Sequence, residues 1–188
     1  MNSLALKNLL YGLLLIFLVA CGQAKKEDST EVAKDVNEEN IEDKDLEKDA
    51  DFVVNTVAGN YAEIKMAQLA QNKSSDPKVK EMATKLESDH TKILNELKAY
   101  ANKKGIAVPL EESTEAEKDL SSLAENTGGE FDKKWCEALE DKHEKTINKF
   151  ESRLDKTEDP ELKDWIAATL PGLKTHLEML KEHDEGAK

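Results

Sequence analysis

Cysteine is nearly absent from this 188-residue chain: Cys21 and Cys136 are the only two. A disulfide framework and a zinc-type cysteine cluster are therefore both excluded, and the fold must stand on packing. Long apolar runs are missing as well. The longest, Leu9 to Ala20, is too short to span a bilayer core, which needs about 20 apolar residues. Basic charge is in short supply, with 27 Lys and Arg against 40 Asp and Glu and a net charge of −13. That balance argues against nucleic acid, whose phosphates require a basic footprint, and against electrostatic adhesion to anionic lipid. No glycine-rich phosphate loop or nucleophile elbow appears among the eight glycines.

What is present begins with targeting. Lys7 precedes the apolar run, which ends in Leu18-Val19-Ala20-Cys21, where a small residue stands before the cysteine. Residues 1–20 read as a secretory signal peptide and Cys21 as a lipidation site carrying diacylglycerol and a fatty acid such as palmitate. Two or three chains give stable membrane anchoring where one is marginal. Gly22 rather than Asp after the cysteine points to the outer membrane of the cell envelope, with the mature chain in the periplasm or on the cell surface.

Residues 21–48 are expected to be an acidic disordered tether, because the stretch from Gly22 to Lys48 holds ten acids and only Val32, Val36, Ile41 and Leu46 as sizeable apolar residues. A transient helix from Thr30 to Lys48 is the competing possibility. From residue 49 to 184 the pattern is that of an all-α four-helix bundle, expected to be a monomer. A first helix runs from about Asp49 to Asn72, with Phe52, Val53, Val57, Ile64, Ala67 and Leu69 recurring at threes and fours. A second starts at Asp76-Pro77 and stops at Lys103-Lys104-Gly105. A third begins near Gly129-Glu130, and a fourth starts at Asp159-Pro160.

The link from Ile106 to Gly128 contains a short helix, Thr114 to Glu125, with Thr114 and Glu117 spaced as a capping box. It is long enough to run the length of the bundle, which permits a crossover that makes the second and third helices parallel. Pro171 inside the fourth helix is expected to kink or break it.

Three histidines interrupt apolar seams. His90 falls in the series Leu86, His90, Ile93, Leu97; His143 in Leu139, His143, Ile147, Phe150; and His176 in Leu173, His176, Leu180. With the second and third helices parallel, His90 and His143 both lie about 21 Å along the bundle, and Glu63 and His176 lie within about a turn of that level. Two alternatives remain open. The imidazoles make buried hydrogen bonds to Asp89, Glu63 or backbone, or they hold a transition metal such as iron, zinc or copper, to which neutral nitrogens suit better than to calcium or magnesium. Glu87/His90 and Glu140/His143 have Glu-x-x-His spacing, but the second pair is on the wrong helix for a di-metal carboxylate bundle. His183 is expected in solvent near a frayed end. Cys136 reads first as a small buried apolar residue, and second as a ligand or reactive thiol.

The order of Phe52, Ala62-Glu63-Ile64, Leu69-Ala70, Ser88-Asp89-His90-Thr91, Glu130-Phe131-Asp132, His143-Glu144-Lys145, Asp159-Pro160-Glu161-Leu162-Lys163 and Thr169-Leu170-Pro171-Gly172-Leu173-Lys174-Thr175-His176-Leu177 resembles the bacterial domain of unknown function 4142. That is a periplasmic family with a predicted ferritin-like four-helix fold, and the likeness covers residues 50 to about 181. The resemblance implies Glu63, Asp89, His90, Asp132, His143, Pro171 and His176 as motif residues, and it implies no activity. Glu87 and Glu140 fall outside that pattern. The functional expectation is a non-enzymatic, ferritin-like envelope lipoprotein that binds a metal ion through Glu63, His90, His143 and His176, supported by Asp89, Asp132 and Pro171, and serves in stress tolerance or envelope maintenance. The rival is a partner-binding helical module whose histidines are purely structural, its protein partner unknown.

Overall fold

The computed structural model describes residues 27–186, so the signal segment and Cys21 lie outside the described residues. Among these residues six α-helices follow one another: α1 Ser29–Asn40, α2 Lys44–Lys73, α3 Pro77–Lys104, α4 Thr114–Ala124, α5 Gly128–Lys156 and α6 Pro160–Gly186. Among the described residues there is no strand, and no helix is long and apolar enough to cross a membrane.

The helix ends follow local chemistry. The Asp76 carboxylate accepts from Lys78 N–H at 2.7 Å and caps α3, whose first residue is Pro77. Asp159 accepts from Leu162 N–H at 2.9 Å and caps α6. Gly105 takes φ +70°, the left-handed conformation that closes α3 after Lys103 and Lys104. The cap of α4 differs from the expected one. Ser113, not Thr114, accepts from Ala116 N–H at 3.2 Å, and the Thr114 N–H that a capping box would give to Glu117 is donated to Asp28 at 2.7 Å instead.

Cross-links between helices establish the topology. The end of α3 is pinned to the start of α6 by Lys104 with Asp159 and by Lys103 with Glu161 at 2.7 Å. Arg153, late in α5, meets Asp49, early in α2, at 2.7 Å, while Trp135, early in α5, donates to Met66 O, late in α2, at 2.9 Å. Thus α6 is antiparallel to α3, α5 is antiparallel to α2, and α3 and α5 run parallel. The link between them returns along the bundle, ending where Lys73 donates to Ala124 O at 2.5 Å.

The expected disordered tether is corrected over its described part. Residues Ser29–Asn40 are helical and α2 already begins at Lys44. What orders α1 is polar pairing rather than apolar mass: Asn37 donates to Ala107 O at 2.9 Å and accepts from Ala107 N–H at 2.7 Å. The Asp28 carboxylate, which accepts from Thr30 N–H at 2.9 Å and caps α1, also receives the N–H of Thr114. A composition argument counts only apolar burial and does not see such bonds. The expected break at Pro171 is also corrected: α6 runs through it. Pro171 and Ala167 both lie on the exposed side, so the carbonyl that Pro171 cannot satisfy faces water.

The interior divides into two apolar clusters. One gathers Val53, Val57, Leu97, Phe150, Leu162 and Ile166. The other gathers Ala67, Leu86, Phe131, Trp135, Leu139 and Leu180. Between them the seams of α3, α5 and α6 carry His90, His143 and His176, and α2 adds Asn60 and Glu63. All five are buried. A polar layer therefore crosses the core at mid-bundle, where burial demands that each polar atom be paired.

Candidate metal centre

Each ring of the layer is held by its outer nitrogen. His90 Nδ1 stands 2.9 Å from Glu63 Oε2 and 3.0 Å from Asn60 Oδ1. Asn60 is oriented by its own amide, which donates to Thr56 O at 2.7 Å, so both neighbours of Nδ1 are acceptors and Nδ1 carries the proton. His143 Nδ1 lies 2.9 Å from Leu139 O, again an acceptor, and is likewise protonated. His176 Nε2 lies 2.8 Å from Asp89 Oδ2 and donates to that carboxylate. The remaining nitrogens are His90 Nε2, His143 Nε2 and His176 Nδ1. In the neutral rings these carry lone pairs.

Those three lone pairs face one another. His143 Nε2 is 3.4 Å from His90 Nε2 and 3.4 Å from His176 Nδ1, and all three nitrogens lie within 4.8 Å of one another. The rings form a near-equilateral triangle with centroids 5.3, 5.3 and 5.4 Å apart. Two imidazoles on one tetrahedral ion, with metal–nitrogen bonds of 2.0–2.1 Å, would stand about 3.3 Å apart. The two pairs that share His143 Nε2 match that spacing, and the outer hydrogen bonds match the carboxylate or carbonyl that commonly orients a ligating histidine.

Electrostatics keep two of the rings available. Burial pushes the His143 imidazole below its ordinary range, more than the Glu63 charge restores, and the neighbouring His90 adds to the fall. Burial likewise takes His176 down to about 4, against the hydrogen bond to Asp89. Burial alone would raise the Glu63 carboxyl, but the attraction of His90 and His143 and the hydrogen bond to His90 outweigh it and bring it to about 2. Glu63 is thus an anion that polarises His90. The neutral state of His143 and His176 is the one that coordinates metals.

The structure places the expected residues as follows. His90, His143 and His176 come together, and Asp89 supports His176. Glu63 sits behind His90 rather than among the converging nitrogens, which corrects its expected place as a fourth ligand beside the ion. Asp132 does not support the cluster: it lies eleven residues before His143, about 16 Å along α5. Pro171 is on the outer face. Glu87 accepts from Gln68 and Gln71 at 2.7 and 2.6 Å, away from the layer. Asn60 was not anticipated; its position one turn before Glu63 on the same face of α2 was the available signal. A cleft of about 890 Å³, bordered by α2, α4 and α5, reaches the layer at Asn60, Glu63 and His90.

A family model described as "Domain of unknown function (DUF4142)" matches residues 34–182. The chain belongs to that family. The match takes in α2 to α5, α6 as far as residue 182 and every residue of the polar layer, and it starts inside α1, so the DUF4142 region extends beyond the span the sequence motifs suggested. Neither a curated protein nor a solved structure matches the chain.

Proposed function

We propose that this DUF4142 protein binds one transition metal ion at the His90, His143 and His176 nitrogens, in a helical bundle anchored to the bacterial envelope through lipid on Cys21. The observation that carries the metal reading is the convergence of three acceptor nitrogens whose opposite ring positions all donate outward. Without a cation, three lone pairs face one another in an apolar interior. The donor set is three neutral nitrogens with no thiolate, which suits zinc, copper or iron, and nothing in it resembles the carboxylate-bridged pair of a di-metal oxidase. The rings are enclosed, His143 completely. Holding an ion, rather than turning over a substrate on it, therefore fits the burial.

The test is elemental analysis of the mature chain expressed without a histidine tag, then dialysed separately against zinc, copper and ferrous iron. About one equivalent of one of these is expected, together with its loss in the His90→Ala variant. Failure of every ion to reach half an equivalent would leave the histidines structural and refute the proposal.

A further inference from the structure

A second cluster lies at one end of the bundle, where the N-terminus of α3, the early turns of α5 and the last turns of α6 meet. Cys136 Sγ stands 3.5 Å from His183 Nδ1, and His183 Nε2 stands 3.5 Å from Asp76 Oδ2. His183 does not point into solvent as its position near the chain end suggests: its side chain is 13% exposed. The thiol beneath it is buried.

Thiol, imidazole and carboxylate come from three different helices and stand in the order of an activated nucleophile, its base and the group that orients the base. Asp76 is fixed by its other oxygen, which caps α3 through Lys78 N–H. It accepts the Nε2 proton of His183, which turns the Nδ1 lone pair towards the thiol. One turn earlier on α5 stands Asp132, half-buried, whose Oδ1 is shielded from solvent and receives no hydrogen bond, and positions four apart lie on one helix face. The cluster thus offers a nucleophilic sulfur and, one turn away on the same helix face, an acceptor lacking a donor. Those features fit a small molecule that carries an O–H and an electrophilic oxygen, and the burial of Cys136 excludes a bulky one.

We propose that Cys136 is a peroxide-reactive thiol positioned by His183 and Asp76, with hydrogen peroxide or a small hydroperoxide as its oxidant. The thiol proton passes to His183 Nδ1, and the sulfur attacks one peroxide oxygen. An S–O bond forms as the O–O bond breaks, and the leaving oxygen takes the proton from the imidazolium and departs as water or an alcohol. The sulfur is oxidised by two electrons to a sulfenic acid, and the peroxide is reduced by two.

The experiment uses the metal-free mature chain, so its outcome does not depend on the histidine layer. The chain is exposed to hydrogen peroxide, quenched with catalase, unfolded in a 1,3-dicarbonyl trap for sulfenic acids and mapped by mass spectrometry. Adduct on Cys136 should form faster in the folded chain than in urea. His183→Ala should slow it about tenfold, since an unassisted thiol is only a few per cent thiolate at neutral pH. Asp76→Ser keeps a helix cap while removing the carboxylate, and it should slow the reaction in the same direction, with the helical circular dichroism of both variants unchanged. Labelling no faster in the folded chain than in urea, or equally fast in parent and Asp76→Ser, would overturn the proposal.

Discussion

Replacing His143 by Leu separates a metal-binding layer from a merely structural one. His143 Nε2 is the shared vertex of the triangle, 3.4 Å from each of the other two nitrogens, so its loss leaves only two donors. In the parent, an ion at one hundred times its dissociation constant adds about 2.7 kcal/mol. For a domain of this size that corresponds to a rise in melting temperature of about 5–10 °C. If the missing nitrogen weakens binding a hundredfold, the same ion concentration sits at the variant's dissociation constant and adds only about 0.4 kcal/mol, a rise of about 1–2 °C. Without metal the sign differs. Leu fills a similar volume, lies between Leu139 and Ile147 on the α5 seam, and removes one of three mutually facing lone pairs. The metal-free variant should therefore melt at or above the parent. The assay is a pair of thermal melts by circular dichroism, with and without the bound ion. An equal metal-induced rise in parent and variant would refute the coordination geometry, and a metal-free variant destabilised by several kcal/mol would show that the layer is held by its own hydrogen bonds.

Two further outcomes are expected. The metal-free protein should lose stability as pH falls from about 6.5 to 4, because the unfolded chain protonates His176 at its ordinary value while the folded chain resists down to about 4; the loss from this group is about 3 kcal/mol, and the slope should flatten in His176→Leu. Glu63 acts in a lower window, its contribution present above 4.5 and lost as pH falls through about 2, so an unchanged slope between pH 6.5 and 4.5 in His176→Leu would contradict the assignment. Changing Cys21 to Ser should abolish incorporation of labelled palmitate and release the protein from the membrane fraction, and equal labelling of the variant would sink the anchor.

Much of the bundle was legible because its signals are local. Asp76-Pro77, Asp159-Pro160 and Lys103-Lys104-Gly105 mark helix ends by chemistry confined to one turn, and the three-four spacing puts His90, His143 and His176 on inward seams without any knowledge of neighbours. Their common height followed from the length of the crossover. The side of a ring on which a partner sits does not follow, since helical spacing gives height and face but not the rotamer; hence the sequence places Glu63 among the ligands although it is the acceptor behind His90. The docking of α1 was illegible for another reason: Asn37 and Asp28 bond to Ala107 and Thr114, 70 and 86 residues away, and no periodicity records a side chain paired with distant backbone. Cys136 and His183 met only once α5 and α6 were packed.

The carboxylate of Asp28, which caps α1 and also receives Thr114 N–H, changes the mechanics of the proposed anchor. A floppy leash ending at Lys48 would let the bundle roam roughly 30 Å from the bilayer. With Asp28 already stitched to the middle of the crossover, only seven residue steps separate it from Cys21, a contour of at most about 25 Å. The attachment point is the flank of the bundle, not one of its ends. Under the proposed anchor, that tether would hold the flank of the bundle within about 25 Å of the lipid surface, and a pull on the chain would first load the link between α3 and α4, where Asp28 receives Thr114 N–H.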